Sequence, residues 1–228
     1  MIAGAVLMDV AAAFPSVARG YLLRKIRSAG VDECLFQWTD SFMRDRRVIM
    51  SLDGQDGEEM AVTTGLPQGP PVSPVLFAIY IAEIHQAVES QVEDARGISS
   101  VDGVTWIVER HDIDDVMRKL EQCAVASLDW AEHNTARFET TKIEAILLSR
   151  RQKHRRSQRG VGVGDQRVRY VQGVTRWLGI WLDASLTLRE NRRRRIWKAE
   201  AKIRRLVSQY GVPQDRLEPC RCPRSRVR

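Results

Sequence analysis

The chain has 228 residues, 43% of them hydrophobic, and a mean hydropathy of −0.32. That balance excludes a disordered chain, and no apolar run approaches the roughly 20 residues that a membrane-spanning helix needs. The net charge of +7 hides an asymmetry: residues 150–228 carry 23 basic and 6 acidic side chains, residues 1–149 carry 13 and 23. A C-terminal third this basic suits a polyanionic partner, since Lys and Arg neutralise phosphates; a solvated basic face is the plainer alternative. The apolar residues 1–8 have no basic flank and run directly into Asp9, so they do not read as a signal peptide. Four scattered cysteines make no disulfide framework. An intracellular protein of the cytoplasm or nucleus, neither secreted nor membrane-bound, is expected.

Residues 5–10 form a short apolar run that suits a buried strand. Leu22, Leu23 and Ile26 recur at helical spacing within residues 19–29, and Gly30 is a natural stop. Asp32 can cap a second helix with the stripe Leu35, Trp38 and Phe42. Val48, Met50 and Leu52 alternate, as do Met60 and Val62, which predicts a hairpin turning at Asp53-Gly54 with Asp56-Gly57. Residues 65–74 hold four prolines and two glycines and read as irregular backbone, followed by a buried helix over residues 75–88. Residues 99–108 are β-rich around Asp102-Gly103. Val116, Leu120, Ala124 and Leu128 mark a helix over residues 112–133, and residues 142–148 a further strand. The basic stretch 150–159 is the expected boundary. Beyond it come a strand over residues 175–182, a very basic helix over 188–210, and a disordered end over 213–228. Strands and helices alternate without a regular βα period, so the fold class is α+β.

Two carboxylates stand out. Asp9 ends an apolar strand, where a lone carboxylate is costly to bury unless something binds it. Asp102 sits inside a strand–turn–strand segment. Brought together in a sheet, such a pair would hold a divalent cation, as metal-dependent phosphoryl transfer requires. Taken singly, Asp102-Gly103 also reads as an ordinary hairpin turn and Asp9 as a surface carboxylate.

The segment between them changes the balance. Gly65-Leu66-Pro67-Gln68-Gly69-Pro70-Pro71-Val72-Ser73-Pro74-Val75-Leu76-Phe77 resembles motif B of reverse transcriptases, usually G-x-P-Q-G-S-P-x-S-P-x-L-F. The family's other motifs occur in order around it. Leu7-Met8-Asp9-Val10-Ala11-Ala12-Ala13-Phe14 is similar to motif A and Ser100-Val101-Asp102-Gly103-Val104-Thr105-Trp106 to motif C. Residues 138–148, with Lys142, resemble motif D, and Arg176-Trp177-Leu178-Gly179-Ile180-Trp181-Leu182-Asp183 the segment after it. The wording is most similar to non-LTR retrotransposon polymerases, particularly those of fungal elements, over roughly residues 5–190.

The resemblance implies an antiparallel, ferredoxin-like polymerase palm with helices on one face over residues 1–149. A basic connection and thumb-like helical segment would come next, over 150–210, then a basic tail over 211–228. It implies RNA-templated DNA synthesis with an RNA template, a DNA primer and dNTPs. Asp9, Asp102 and the Val10 carbonyl would bind Mg²⁺ or Mn²⁺. Phe14 would gate the sugar of the incoming nucleotide, and Gln68 and Gly69 would lie beside it. Lys142 would assist the leaving pyrophosphate. Trp177, Leu178 and Gly179 would support the primer end. Arg192, Arg193, Arg194, Arg195, Lys198 and Lys202, on a helix with an apolar face at Ile196, Ile203 and Leu206, would track the nucleic-acid backbone.

Three departures qualify this expectation. Motif C, usually F/Y-x-D-D, has Gly103 for its second aspartate and Ser100 for its aromatic residue, which removes a charge from the site and weakens metal binding. Motif B has Pro70 for serine, which deletes an N–H and fixes φ. The chain starts at motif A, so fingers strands, endonuclease and RNase H regions are expected to be absent. An impaired polymerase fragment is therefore the first expectation, and a non-catalytic nucleic-acid-binding remnant using the basic third the second. A chain that makes no stable protein is the third. Cys220 and Cys222 lack the partners of a zinc site. His85, His111, His133 and His154 have no ligand spacing, and residues 160–164 are not a phosphate loop.

Overall fold

The computed structural model describes residues 1–100, 103–149, 151, 154, 160–164, 166–171 and 173–210. Val101, Asp102, most of the 150–159 boundary and the 211–228 tail with Cys220 and Cys222 lie outside the described residues. The elements run β1 (Ile2–Asp9), α1 (Arg19–Ser28), α2 (Glu33–Met43), β2 (Arg46–Leu52), β3 (Gln55–Val62), α3 (Val72–Ile81) and α4 (Glu83–Glu89). They continue with β4 (Arg96–Ser100), β5 (Gly103–Arg110), α5 (Ile113–His133), β6 (Glu144–Leu148), β7 (Gly160–Val163), β8 (Gln166–Arg169), β9 (Val174–Trp177), β10 (Ile180–Asp183) and α6 (Arg189–Tyr210). The fold is mixed α and antiparallel β, as the sequence leads one to expect.

Its centre is a four-stranded sheet in the order β4-β5-β1-β6, antiparallel throughout. Strand alternation sorts the side chains onto two faces. Gly4, Val6 and Met8 with Val104 and Trp106 face α4 and α5. A Cβ at Gly4 would overlap the Val116 side chain, so this glycine is what lets α5 seat on β1. Trp106 is fully buried, and its Nε1–H donates to Ser127 Oγ at 2.7 Å, which removes the cost of burying the indole N–H. The other face carries Leu7, Asp9, Thr105 and Glu144, and β9–β10 lies over it: Trp177 Nε1–H donates to Thr105 Oγ1 at 2.9 Å and Thr175 Oγ1 to Glu144 Oε2 at 2.8 Å.

Several expectations need correction. The first strand is Ile2–Asp9 rather than 5–10. The helix expected over residues 75–88 begins earlier and is interrupted. It starts at Val72 because Pro74 falls in the first turn, where no N–H is needed, and Ala82 divides α3 from α4 while keeping helical dihedrals. In α2 the face that packs is one residue out of phase: Thr39 and Met43 are buried, while Leu35 and Trp38 are exposed, Trp38 stacking on Phe42. Thr39 is small and returns its hydroxyl to the Leu35 carbonyl, which suits it to a close approach by another element. The β2–β3 turn is Asp53-Gly54 alone, both at positive φ; Asp56 pairs with Ser51, and the register slips one residue on, where Gly57 and Glu58 together oppose Met50 as a bulge. Val48, Met50 and Leu52 of this hairpin are exposed.

The 142–148 strand starts at Glu144, with Lys142 in a preceding 3₁₀ turn. The segment 160–164 is a strand and its reversal, with Val161 and Val163 in the same buried cluster as Val6 and Leu120, so core packing runs past residue 149. The strand expected over 175–182 is a tight hairpin reversing at Leu178-Gly179, both at positive φ. The apolar face of α6 is left uncovered by the described residues: Ile196, Ile203 and Leu206 are exposed. Among the described residues no helix is long and apolar enough to cross a membrane.

Candidate active site

β1 delivers Asp9 to the open end of the sheet as an exposed side chain on the face away from α5. Its main chain is held from both sides. Asp9 pairs in register with Gly103 of β5, while the Glu139 amide donates to the Asp9 carbonyl at 2.8 Å and the Ala11 amide to the Arg137 carbonyl at 2.7 Å. Successive strand carbonyls alternate in direction, so the Val10 carbonyl is turned toward the β5 side. Asp102 lies outside the described residues, but its chain neighbour Gly103 sits directly beside the Asp9 carboxylate. A Cβ built on Gly103 would lie 3.3 Å from Asp9 Oδ1 and 3.2 Å from the Met8 carbonyl. Gly103 is not among the residues at positive φ, so its backbone admits an L side chain.

A part-buried polar network, anchored on buried Tyr80 and Lys25, sets the turn that supports Asp9. Tyr80 Oη donates to the Asn134 carbonyl, and Lys25 Nζ donates to Asn134 Oδ1 at 3.1 Å and pairs with Glu83. Burial pushes the Tyr80 phenol up, opposed by its hydrogen bond with Thr135. From Thr135, held at φ 54°, the chain runs to Phe138, which bridges Val10.

After Val10 the chain turns through Ala12, at φ 47°, and is joined to the start of the proline-rich loop. The Leu66 amide donates to the Phe14 carbonyl and the Gly65 amide to the Val17 carbonyl, each at 2.8 Å. Gly65 is at φ 81°, and a Cβ there would lie 2.8 Å from Pro15 Cα, so no other residue allows this approach. Two side chains that sequence reasoning missed fix the loop from beneath. Arg46 donates to the Gly65 carbonyl at 2.6 Å and the Thr64 carbonyl at 3.1 Å. Buried Ser73 donates from Oγ to the Pro67 carbonyl at 2.6 Å. Ser73 lies inside motif B and its position could have signalled it; Arg46, at the base of a remote hairpin, carried no signal.

The result is a cleft of about 560 Å³ whose lining includes Val10, Phe14, Gln68, Gly69 and Pro70. Four residues singled out for nucleotide contact thus converge, with Phe14 tilted against Phe77 at a ring separation of 5.5 Å. Lys142 is exposed in the turn whose first hydrogen bond, Lys142 amide to Glu139 carbonyl at 3.0 Å, ties it to the residue that holds Asp9. Trp177, through Thr105, docks its hairpin on the strand that begins at Gly103, and Leu178 is exposed at the tip. Arg192, Arg193, Arg194, Arg195, Lys198 and Lys202 lie along α6, outside the cleft lining. Two of them are already engaged: Glu190 binds Arg193 and Arg194, and Arg194 stacks 3.8 Å over the Trp181 ring. Among the described residues no three His, Cys, Asp or Glu side chains converge as a metal cage.

The sequence profile of the family described as reverse transcriptase (RNA-dependent DNA polymerase) matches residues 3–182. The chain is 26% identical over 183 residues to the RNA-directed DNA polymerase from mobile element jockey of Drosophila melanogaster, covering 79% of this chain and 19% of that protein. It is 30% identical over 79 residues to the retrovirus-related Pol polyprotein from type-1 retrotransposable element R2 of Popillia japonica, covering 35% of this chain and 13% of that one. It therefore spans a fifth or less of the length of these relatives. Among solved structures, apo telomerase from Candida tropicalis truncated from its C-terminal domain superposes with a TM-score of 0.55 at 13% identity, covering 82% of this chain and 35% of that chain. That likeness is one of fold.

Proposed function

The chain belongs to the reverse transcriptase family, with the RNA-directed DNA polymerases of non-LTR elements, and from that membership we propose that it is the palm and thumb-like part of an RNA-templated DNA polymerase with impaired chemistry. The observation that carries the reading is the cleft where Val10 and Phe14 of one motif meet Gln68 and Gly69 of another, next to the exposed Asp9. In this reading the cleft receives the dNTP. Phe14 sits under its sugar, and the backbone at Gly69, with open space around its Cα, lets the nucleotide approach closely. Trp177, Leu178 and Gly179 support the primer 3′ end from the hairpin over β5. Lys142 neutralises charge on the departing pyrophosphate.

The donors beside the cleft are oxygens alone, the Asp9 carboxylate and the Val10 carbonyl, with Asp102 next to Gly103 in the chain. Such a set suits a hard dication. Bound there, Mg²⁺ or Mn²⁺ would stabilise charge on the transferring phosphoryl group. Asp9 and Asp102 would hold it, and Gly103 leaves the site one carboxylate short, so binding is weak. Gly103 is the limiting position in this reading because its Cβ direction points at Asp9 Oδ1.

The test is primer extension on a poly(rA)–oligo(dT) template with Mg²⁺ and then Mn²⁺. Weak incorporation that disappears in Asp9→Ala and rises at least tenfold in Gly103→Asp is expected. Incorporation indifferent to Asp9→Ala would overturn the polymerase reading, and no gain from Gly103→Asp would remove the missing carboxylate as the defect. A second reading, a nucleic-acid-binding remnant without catalysis, is favoured by the exposed cationic length of α6. It predicts no incorporation by any variant and duplex binding that weakens steeply with salt and ignores Mg²⁺.

A further inference from the structure

Asp183 closes β10, and a short connection then leads into α6. The Asp183 carboxylate accepts five hydrogen bonds from that connection. Oδ1 takes the Ser185 amide at 3.1 Å, Ser185 Oγ at 2.6 Å and the Thr187 amide at 3.1 Å; Oδ2 takes Thr187 Oγ1 and the Leu188 amide, both at 2.9 Å. The connection contains two leucines in the left-handed region, Leu186 at φ 55° and Leu188 at φ 54°. Branched L residues avoid that region unless their surroundings impose it. Burial does not impose it here, because both side chains are exposed; the bonds to Asp183 do.

The course of α6 depends on this connection. The helix is anchored on β10 near its start, where Asn191 Oδ1 accepts the Trp181 amide at 3.3 Å and Arg194 stacks on Trp181. Of residues 195–209 all but Val207 are exposed. A helix of 22 residues is about 33 Å long, so a swing of about 10° at its base moves its far end by about 6 Å, by the same geometry.

We propose that Asp183 is the pin that fixes the direction of α6, and hence a positioning residue for the nucleic-acid contacts made by the cations along that helix. The second half rests on the reading of α6 as a nucleic-acid-binding helix; the first does not. Partial burial pushes the Asp183 carboxyl up, but the hydrogen bonds from Ser185 and Thr187 outweigh it and bring it down to about 2, so the group is an anion with all its acceptors at neutral pH. Asn is nearly isosteric, yet its amide would present N–H where Leu188 N–H needs an acceptor.

The experiment places nitroxide labels at Glu132→Cys, on α5, and Gln209→Cys, near the end of α6, in the full chain with Cys34, Cys220 and Cys222 changed to Ser. Buried Cys123 is left in place. The distance distribution between the labels is expected to be at least twofold wider in Asp183→Asn than in the parent. Thr187→Val, which removes one of the five bonds, should give a smaller widening and keeps the test open if Asp183→Asn fails to fold. Binding to an RNA–DNA duplex, measured on the folded variant, should weaken by threefold to tenfold with a shallower salt slope, because fewer cations reach phosphates together. An unchanged distribution in both variants overturns the pin. A widened distribution with unchanged duplex affinity keeps the pin and overturns only the nucleic-acid reading of α6.

Discussion

Helices α5 and α6 have nearly the same length, 21 and 22 residues, and are positioned by opposite means. α5 packs against β1 and β5 of the sheet and against α4 and β7, and buries nine residues, from Val116 to Ala131. Its place is fixed by apolar surface removed from water and by the gap that Gly4 leaves for it. α6 is held as a helix by its own charges, with Glu190 pairing to Arg193 and Arg194 and Glu200 to Arg204, and is held in place at one end by polar contacts. Burial tolerates the loss of any one polar group; a polar anchor does not. The core is therefore the robust part of the molecule and the arm the adjustable one.

Core substitutions should separate the two regions most sharply. Trp106→Ala removes the largest fully buried side chain and leaves Ser127 without its donor; a loss of about 3–5 kcal/mol in urea unfolding is expected, and a loss under about 1 kcal/mol would mean that the sheet and α5 are not one packed unit. Next comes the junction of the two motif loops. Gly65→Ala forces a Cβ against Pro15 at positive φ and should cost about 1–3 kcal/mol, with a drop in any dNTP binding, since the cleft is framed by that contact. The smallest effect belongs to the arm. Trp197→Ala on α6, where the ring is exposed, should change stability by less than about 0.5 kcal/mol. A cost of several kcal/mol would break the comparison, because it would show that this face of α6 is covered in solution.

Much of the fold is legible in local pattern. α5 follows from Val116, Leu120 and Ala124 and its cap from Asp112, which accepts the Asp114 and Asp115 amides. The proline-rich motif points to Gln68 and Gly69 without any geometry. The failures share one cause. The spacing of α2 favours a face shifted toward Leu35 and Trp38 because these are large apolar residues, whereas the neighbour it meets accepts Thr39 and Met43, with Phe42 half-buried at the margin. The hairpin at Leu178-Gly179 is hidden because a tight reversal inside an apolar run leaves no break in periodicity. Asp183 ends a motif and carries no signal of its role there, since its five hydrogen bonds come from residues with no signature of their own.

The amino-acid sequence by itself determined the family and the alternation of helices and strands, and it named the candidates for chemistry, because these depend on residue type and on spacing over a few positions. Only the tertiary structure decided that Val10 and Phe14 share a cleft with Gln68 and Gly69, that Gly103 stands beside the Asp9 carboxylate, and that one aspartate meets the whole connection into a 22-residue helix. Those facts depend on which surfaces meet, and that is settled by packing among residues as far apart in the chain as Met8 and Val104, where local pattern carries no information.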